Sequence, residues 1–341
     1  MAAKSNGKQT VKIQNPVSIV STASIVGPKE GQGPLRLYFD YIIDDEMWGE
    51  RSWEKAESKL MKETLSKTLS KADKTVGEVN YVIAGDLLNQ CIAASFGLRD
   101  SGIPFLGIYG ACSTMGESMG LGAMLIDGGF ADNVVCITSS HFCSAEKQFR
   151  FPLELGTQRS PTAQWTITGS GGALLSNQGA GPYITHVTTG KIVDMGIKDA
   201  GNMGAAMAPA AVDTLLSHFK DTGFTPDYYD LIITGDLGMV GKSICEDLLK
   251  REGYFISDRY NDCGLMIYNR EKQDAHAGGS GCGCSAAVFA GFIYREIVKR
   301  NLNNVLFVPT GALLSSVSSQ QGESIPCIAH AVSLQRILSN E

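Results

Sequence analysis

The sequence predicts an α/β protein of five layers, α-β-α-β-α, made of two duplicated halves, and three observations predict it. The apolar run "VNYVIAGDL" of residues 79–87 returns as "YDLIITGDL" at residues 229–237, each closing on Gly-Asp-Leu. Each run is preceded by one amphipathic segment and followed by another, so the order helix, strand, helix is kept twice. The strands read as continuous β-branched runs rather than alternating ones, the pattern of a sheet covered on both faces. Two such sheets, back to back with helices between and outside them, make the five layers. The halves are expected at residues 1–190 and 191–341.

In the first half, "SWEKAESKLMKETLSKTLSKA" from Ser52 is the leading helix and "NQCIAASFGLRDSG" the following one. Next, "GACSTMGESMGLGAMLIDGGFADNVVCITSS" from Gly110 reads as a tight turn, a helix of about four turns and a buried strand. The second half repeats the scheme. "APAAVDTLLSHFKDTG" from Ala208 and "GKSICEDLLKREG" flank its first strand, and "GCGCSAAVFAGFIYREIVKRNLNNVLFVPTG" from Gly281 parallels the segment from Gly110. Hairpin-like runs, "QWTITGSGGALLSNQGAGPYITHVTTG" and "IPCIAHAVSLQRIL", are expected to close each half.

Composition narrows the function classes. With 341 residues, 43% hydrophobic and 19% charged, the chain is long enough for two core-bearing halves. A net charge of −6 without a Lys/Arg stripe argues against a nucleic-acid surface, where phosphate neutralisation dominates affinity. No run reaches the roughly 18 apolar residues of a spanning helix, and the polar start "MAAKSNGKQTVKIQNP" is unlike a signal peptide. Synthesis in the cytoplasm is the expectation. Nine cysteines, scattered through apolar segments, read as reduced thiols.

Cys112 sits where a strand breaks at Gly110 and a helix begins. That position offers the partial positive charge and free N–H groups of a helix start, which favour thiolate, so Cys112 reads as a nucleophile position. The alternative is a small buried apolar residue. "CGC" at Cys282 and Cys284, with Cys263 and His276 upstream, lacks the spacing of a zinc knuckle, and "GGSGCG" lacks the Lys-Ser/Thr of a phosphate loop. No metal and no cofactor are expected.

Duplicated halves, a Cys at a strand-to-helix turn, "TITGSGGALLSN" and the glycine-containing end "VPTGALLS" together resemble the thiolase fold, with β-ketoacyl-acyl-carrier-protein synthase III as the nearer cousin. Within that superfamily, "IYGACSTMGES", "WTITGSGGALL" and "HAGGSGCGCSAA" identify the chain as a member of the stage V sporulation protein AD family of spore-forming bacteria. The resemblance implies an acyl-carrying cysteine at Cys112, aided by a His and an Asn that stabilise an enolate. The His position falls on Asp236. The Asn position falls on Cys282, or on Ser280 in the register of the thiolase loop. None of these residue types is the donor that condensation needs.

Further ligand contacts are expected just past the strand "VVCITSS", where open α/β folds gather them. His141 is there, and the loop-like segment "HFCSAEKQFRFPLELGTQRSP" adds Glu146, Lys147, Arg150 and Arg159. Arginines beside a helix start suit a dicarboxylate, because guanidinium pairs with carboxylate in a fork. The resemblance implies dipicolinic acid (pyridine-2,6-dicarboxylate), free or as its calcium chelate, moved into the developing spore with membrane-embedded proteins of the same operon. The chain is then expected peripherally on the inner spore membrane. The expected ligand site is Cys112, His141, Arg150, Arg159, Asp236, Ser280 and Cys282, with no catalytic residue. The competing reading is an active acyltransferase using Cys112. A homodimer is also expected, through "VVCITSS" with "GDLLNQCIAASF".

Overall fold

A computed structural model of the chain describes residues 2–149 and 158–337. The first half runs β1 (Thr10–Val26), β2 (Tyr41–Ile42), α1 (Trp53–Lys71), β3 (Tyr81–Gly85), α2 (Ile92–Leu98), β4 (Phe105–Gly107), α3 (Thr114–Asp127), β5 (Asn133–Ser140), α4 (Phe142–Phe149), β6 (Trp165–Thr166) and β7 (Gly169–Ser176). Then follow β8 (Tyr183–Thr188), α5 (Met203–Thr222), β9 (Leu231–Thr234), α6 (Gly238–Arg251), β10 (Tyr260–Asp262), α7 (Cys263–Ile267), β11 (Gly279–Ser280) and α8 (Cys282–Val288). After a π-helical turn come α9 (Tyr294–Val298), β12 (Asn304–Val308), β13 (Thr310–Ala312), α10 (Ser316–Gln320), β14 (Cys327–Ala329) and β15 (Ala331–Gln335).

The duplication is explicit in the strand order. One half reads β4-β3-β5-β7-β1 and the other β10-β9-β12-β15-β8, each with three parallel strands followed by two antiparallel ones. The long β1 pairs with β8 as well as β7, so the half-sheets are joined edge to edge at the centre. The order repeats from β8, so the first strand of the second half precedes residue 191. Side chains alternate across each strand, and in the central strands such as β3, β5 and β12 both faces are buried. In β5, Val134 and Cys136 join the core between the half-sheets, while Val135 and Ile137 face α1 and α2. In β12, Val305 and Phe307 join that central core, and Leu306 and Val308 face the layer of α5 and α6. Helices α3 and α8 fill the middle, giving the five layers of the thiolase-like fold.

Ser52 caps α1 as its sequence suggests, its side chain accepting from the Lys55 N–H. Four local expectations fail. The closing runs are not hairpins: β1 lies between β7 and β8, and β14 pairs with β13 while β15 pairs with β12 and β8. Helix α5 begins at Met203 rather than Ala208 and carries Pro209 inside, because its buried Ala and Met face outweighs one lost hydrogen bond. The segment after His141, expected to be loop-like, is helical over its first described part, where Phe142–Phe149 form α4. The strand expected at a dimer contact, β5, lies inside the sheet between β3 and β7. The exposed edge is β4, where Phe105, Leu106 and nearby Tyr109 are open to solvent, as are Ile92 and Phe96 on α2.

Candidate functional site

The turn between β4 and α3 is a strained elbow. Ala111 has φ +50°, unusual for a residue with a side chain, and the Ser113 hydroxyl donates to the Gly110 carbonyl at 2.6 Å. The Gly311 backbone presses on it: a β-carbon there would sit 2.1 Å from the Gly110 oxygen. Cys112 is thereby presented to a cavity of about 420 Å³ lined by Tyr109, Ala111, Phe149, Met207, Ser280 and Leu314 among others. Among the described residues, its charged lining is Glu146, Arg159 and Asp199.

Behind the cysteine, elements from the second half converge. Asp236, just past β9, is fully buried and accepts hydrogen bonds from the Ser280 hydroxyl (2.8 Å) and the Thr310 hydroxyl (2.6 Å). Ser280 Oγ lies 3.8 Å from Cys112 Sγ. Burial holds the Asp236 carboxyl above its usual range, against the lowering effect of those hydroxyls. The Cys112 thiol is pushed well up, first by burial and then by the neighbouring Asp236. Desolvation and the neighbouring carboxyl therefore act against the helix-start field that the sequence suggests, and α3 itself begins two residues later, at Thr114. Asp262 fixes the turn that carries Asp236, accepting from the Thr234 hydroxyl and from the N–H groups of Leu237 and Gly238.

Of the expected contacts, Cys112, Ser280 and Arg159 line the cavity, whereas Asp236 lies behind them, bonded to Ser280, and does not line it. Cys282 lies under the elbow, its thiol donating to the Ala111 carbonyl at 2.9 Å, and does not line the cavity. His141 is fully buried and also does not line it; its Nε2 meets the Glu46 carbonyl at 2.7 Å. Arg150 lies outside the described residues. Arg159 packs over the Trp165 ring, its Nη2 donating to the Asp274 carboxylate (2.9 Å) and carbonyl (3.0 Å). Its side chain is 5% exposed, and Nη1 has no hydrogen-bond partner among the described residues. Lys147 pairs instead with Glu54. His276 bonds Asp274 and the Ser160 carbonyl. His218 and His330 are buried in the second half, held neutral by desolvation with pKa lowered to about 3 and about 4.

Sequence reading missed Thr310, Gln164, Asp199 and Met207. Thr310 stands in the quoted "VPTGALLS", so its place after a strand end was the available signal. Among the described residues, no group of three or more His, Cys, Asp or Glu side chains is placed to hold a metal ion. No helix there is long and apolar enough to cross a membrane.

The family model described as stage V sporulation protein AD matches residues 7–335. The stage V sporulation protein AD of Bacillus subtilis (strain 168) is 46% identical over 333 residues, covering 98% of both chains. Among solved structures, the 3-oxoacyl-[acyl-carrier-protein] synthase III of Aquifex aeolicus superposes with a TM-score of 0.57 at 12% identity, over 94% of this chain and 99% of that one. Cerulenin-bound OleA of Xanthomonas campestris gives 0.61 at 14%, over 95% and 98%. Human mitochondrial 3-ketoacyl-CoA thiolase gives 0.56 at 13%, over 95% and 99%. At these identities the structural neighbours speak for the fold.

Proposed function

The chain belongs to the stage V sporulation protein AD family, and from that premise we propose that its elbow cavity binds dipicolinic acid, free or as the calcium chelate, and supports its uptake into the developing spore. The observation that carries this reading is Arg159: a buried guanidinium on the cavity wall whose Nη1 has no hydrogen-bond partner among the described residues. An unmet buried donor is costly, and a carboxylate is the acceptor that matches it. The cavity volume is in the range of small-ligand sites, and Tyr109, Phe149 and Leu314 supply faces for a flat ring.

Acyl transfer by Cys112 is the competing chemistry, and the geometry weighs against it. An acylating cysteine must ionise, yet this thiol is buried beside a carboxyl. An enolate needs a donor, yet Asp236 is an acceptor already served by Ser280 and Thr310. The cavity is on this reading a ligand site without a catalytic residue. Partners in the membrane, encoded with this family in the stage V sporulation A operon, would hold the chain at the inner spore membrane. A second copy would pair along the open β4 edge.

Two measurements test the reading. Titration calorimetry with dipicolinate should show one site per chain, and the same titration with benzene-1,3-dicarboxylate should be weaker. Intact mass after incubation with acetyl- and malonyl-coenzyme A should be unchanged. An acylated Cys112, together with no heat on dipicolinate addition, would reverse the assignment.

A further inference from the structure

Two carboxyls lie buried one residue behind the cavity wall, outside the lining itself. Glu57 on α1 and Asp86 just past β3 are fully buried, and neither forms a salt bridge among the described residues. Glu57 accepts from the Ser139 hydroxyl at the end of β5 (3.1 Å) and from the Ser144 hydroxyl of α4 (2.7 Å). Asp86 accepts from the N–H groups of Leu88 (2.9 Å) and Ala94 (2.8 Å). Strands β3 and β5 run side by side with Gly85 opposite Thr138, so Asp86 and Ser139 come next to each other. Alternation from Ala84 and Ile137 puts both on the face turned to α1 and α2, where Glu57 meets Ser139. Each carboxyl reaches the cavity through a neighbour in sequence: Leu87 follows Asp86, Ala145 follows Ser144, and both line it. Gln148 of α4 ties the two sides together, donating to the Leu87 carbonyl (3.1 Å) and accepting from the Asn89 N–H (2.9 Å).

Hydroxyls accept as readily as they donate, so Ser139 and Ser144 serve Glu57 equally as a carboxylate or as an acid. The backbone donors of Asp86 favour its charge, and the last proton of the pair therefore sits on Glu57. Burial first, then the neighbouring Asp86, pushes the Glu57 carboxyl up to about 8. Of the elements packed on α1, α2 and β7 carry no titratable residue, Cys136 of β5 faces the central core, and Lys12 of β1 lies at the far end beside the β8 strand. Helix α4 brings Cys143, Glu146 and Lys147, the last paired with Glu54 of α1. Around Asp86 stand Cys91, Cys282 and Tyr109, all held neutral by burial. An ionised Glu57 thus sets a second negative charge beside Asp86, in desolvated ground against the wall of a cavity that takes an anion. We propose that the Glu57–Asp86 pair is a proton-sensing device of the cavity: it keeps its shared proton while a dicarboxylate is bound and sheds it more readily when the cavity is empty, so ligand and proton bind together. This rests on the reading of the cavity as a dipicolinate site. By linkage the effect is reciprocal, and a rise of pH through the Glu57 range weakens binding.

The test is titration calorimetry with sodium dipicolinate at pH 7 and pH 9, on the parent and on Glu57→Gln. The ligand stays a dianion across this window, and glutamine keeps the shape of the side chain while fixing it uncharged. The parent is expected to bind about tenfold more weakly at pH 9, the equivalent of a shift of one pK unit, and the variant is expected to bind alike at both. A second measurement uses the unaltered protein: titrations at pH 8.5 in two buffers of different ionisation enthalpy count the protons exchanged. About half a proton should be taken up per ligand bound. A parent that binds dipicolinate at neither pH overturns the reading of the cavity itself. A parent that binds alike at both pH values and takes up no proton, or a folded Glu57→Gln chain that keeps the pH dependence, overturns the role of the pair alone.

Discussion

Arg159→Met separates the guanidinium's part in folding from its part in binding. The structural cost is small: the Arg159–Asp274 pair ends on a carboxylate that is 74% exposed, so screening reduces it to about 0.5 kcal/mol. The stacking on Trp165, with the guanidinium 4.3 Å from the ring centre, adds about 1 kcal/mol. Methionine still covers the ring, so the variant should unfold only slightly earlier than the parent. Binding should suffer more, because the ligand carboxylate loses its charged donor within a desolvated site. We expect about 2 kcal/mol, or about thirtyfold in Kd. Arg159→Lys should fall between, since it keeps the charge and loses the fork. Calorimetric titration gives the affinities and a urea transition gives the stability. An Arg159→Met chain that binds dipicolinate within twofold of the parent would refute the anchoring role.

Three further outcomes follow from the same geometry. Asp236→Asn removes the carboxylate beside which a Cys112 thiolate must form, so alkylation of Cys112 by iodoacetamide at pH 8, followed by peptide mass spectrometry, should quicken by about tenfold; an unchanged rate contradicts the electrostatic account. Gly311→Ala forces a methyl group against the Gly110 carbonyl and should cost about 2–3 kcal/mol in the urea transition, with loss of ligand binding; parent-like stability contradicts the close packing of the elbow. Stability should also fall as pH rises from 6.5 to 8, read as the urea midpoint. Burial holds Glu30 and Glu57 up to about 7 and about 8, so across this window the folded chain binds more protons than the unfolded one and loses stability as they ionise. The lowered His218 and His330 act in the opposite sense, and only below about pH 6.5. Glu57→Gln should flatten the slope, and a rising slope in the parent contradicts the assignment.

The repeated Gly-Asp-Leu strand ends made the duplication legible, because a strand buried on both faces has little freedom of composition. Val134 to Ile137 and Val305 to Val308 serve a core on each side, and both read as unbroken apolar runs. Pairing was less legible: nothing in "QWTITGSGGALLSNQGAGPYITHVTTG" reveals that β1, some 150 residues earlier, inserts between β7 and β8. In the site, Cys112, Asp236 and Ser280 were found because each stands at the end of a strand or the start of a helix, where fold geometry fixes position. Thr310 and Gln164 were missed because their roles come from partners distant in sequence, Asp236 at 74 and 72 residues. His141 looked placed for the site, yet the backbone after β5 turns its ring towards Glu46, a partner that local sequence does not show.

A crystal structure of the chain grown with dipicolinate and calcium tests the central claim most directly. The account predicts density for a planar ring in the cavity above Cys112, with a carboxylate oxygen within hydrogen-bond distance of Arg159 Nη1 and no covalent bond to the sulfur. An empty cavity at saturating ligand, or ligand density at some other place on the molecule, would contradict it.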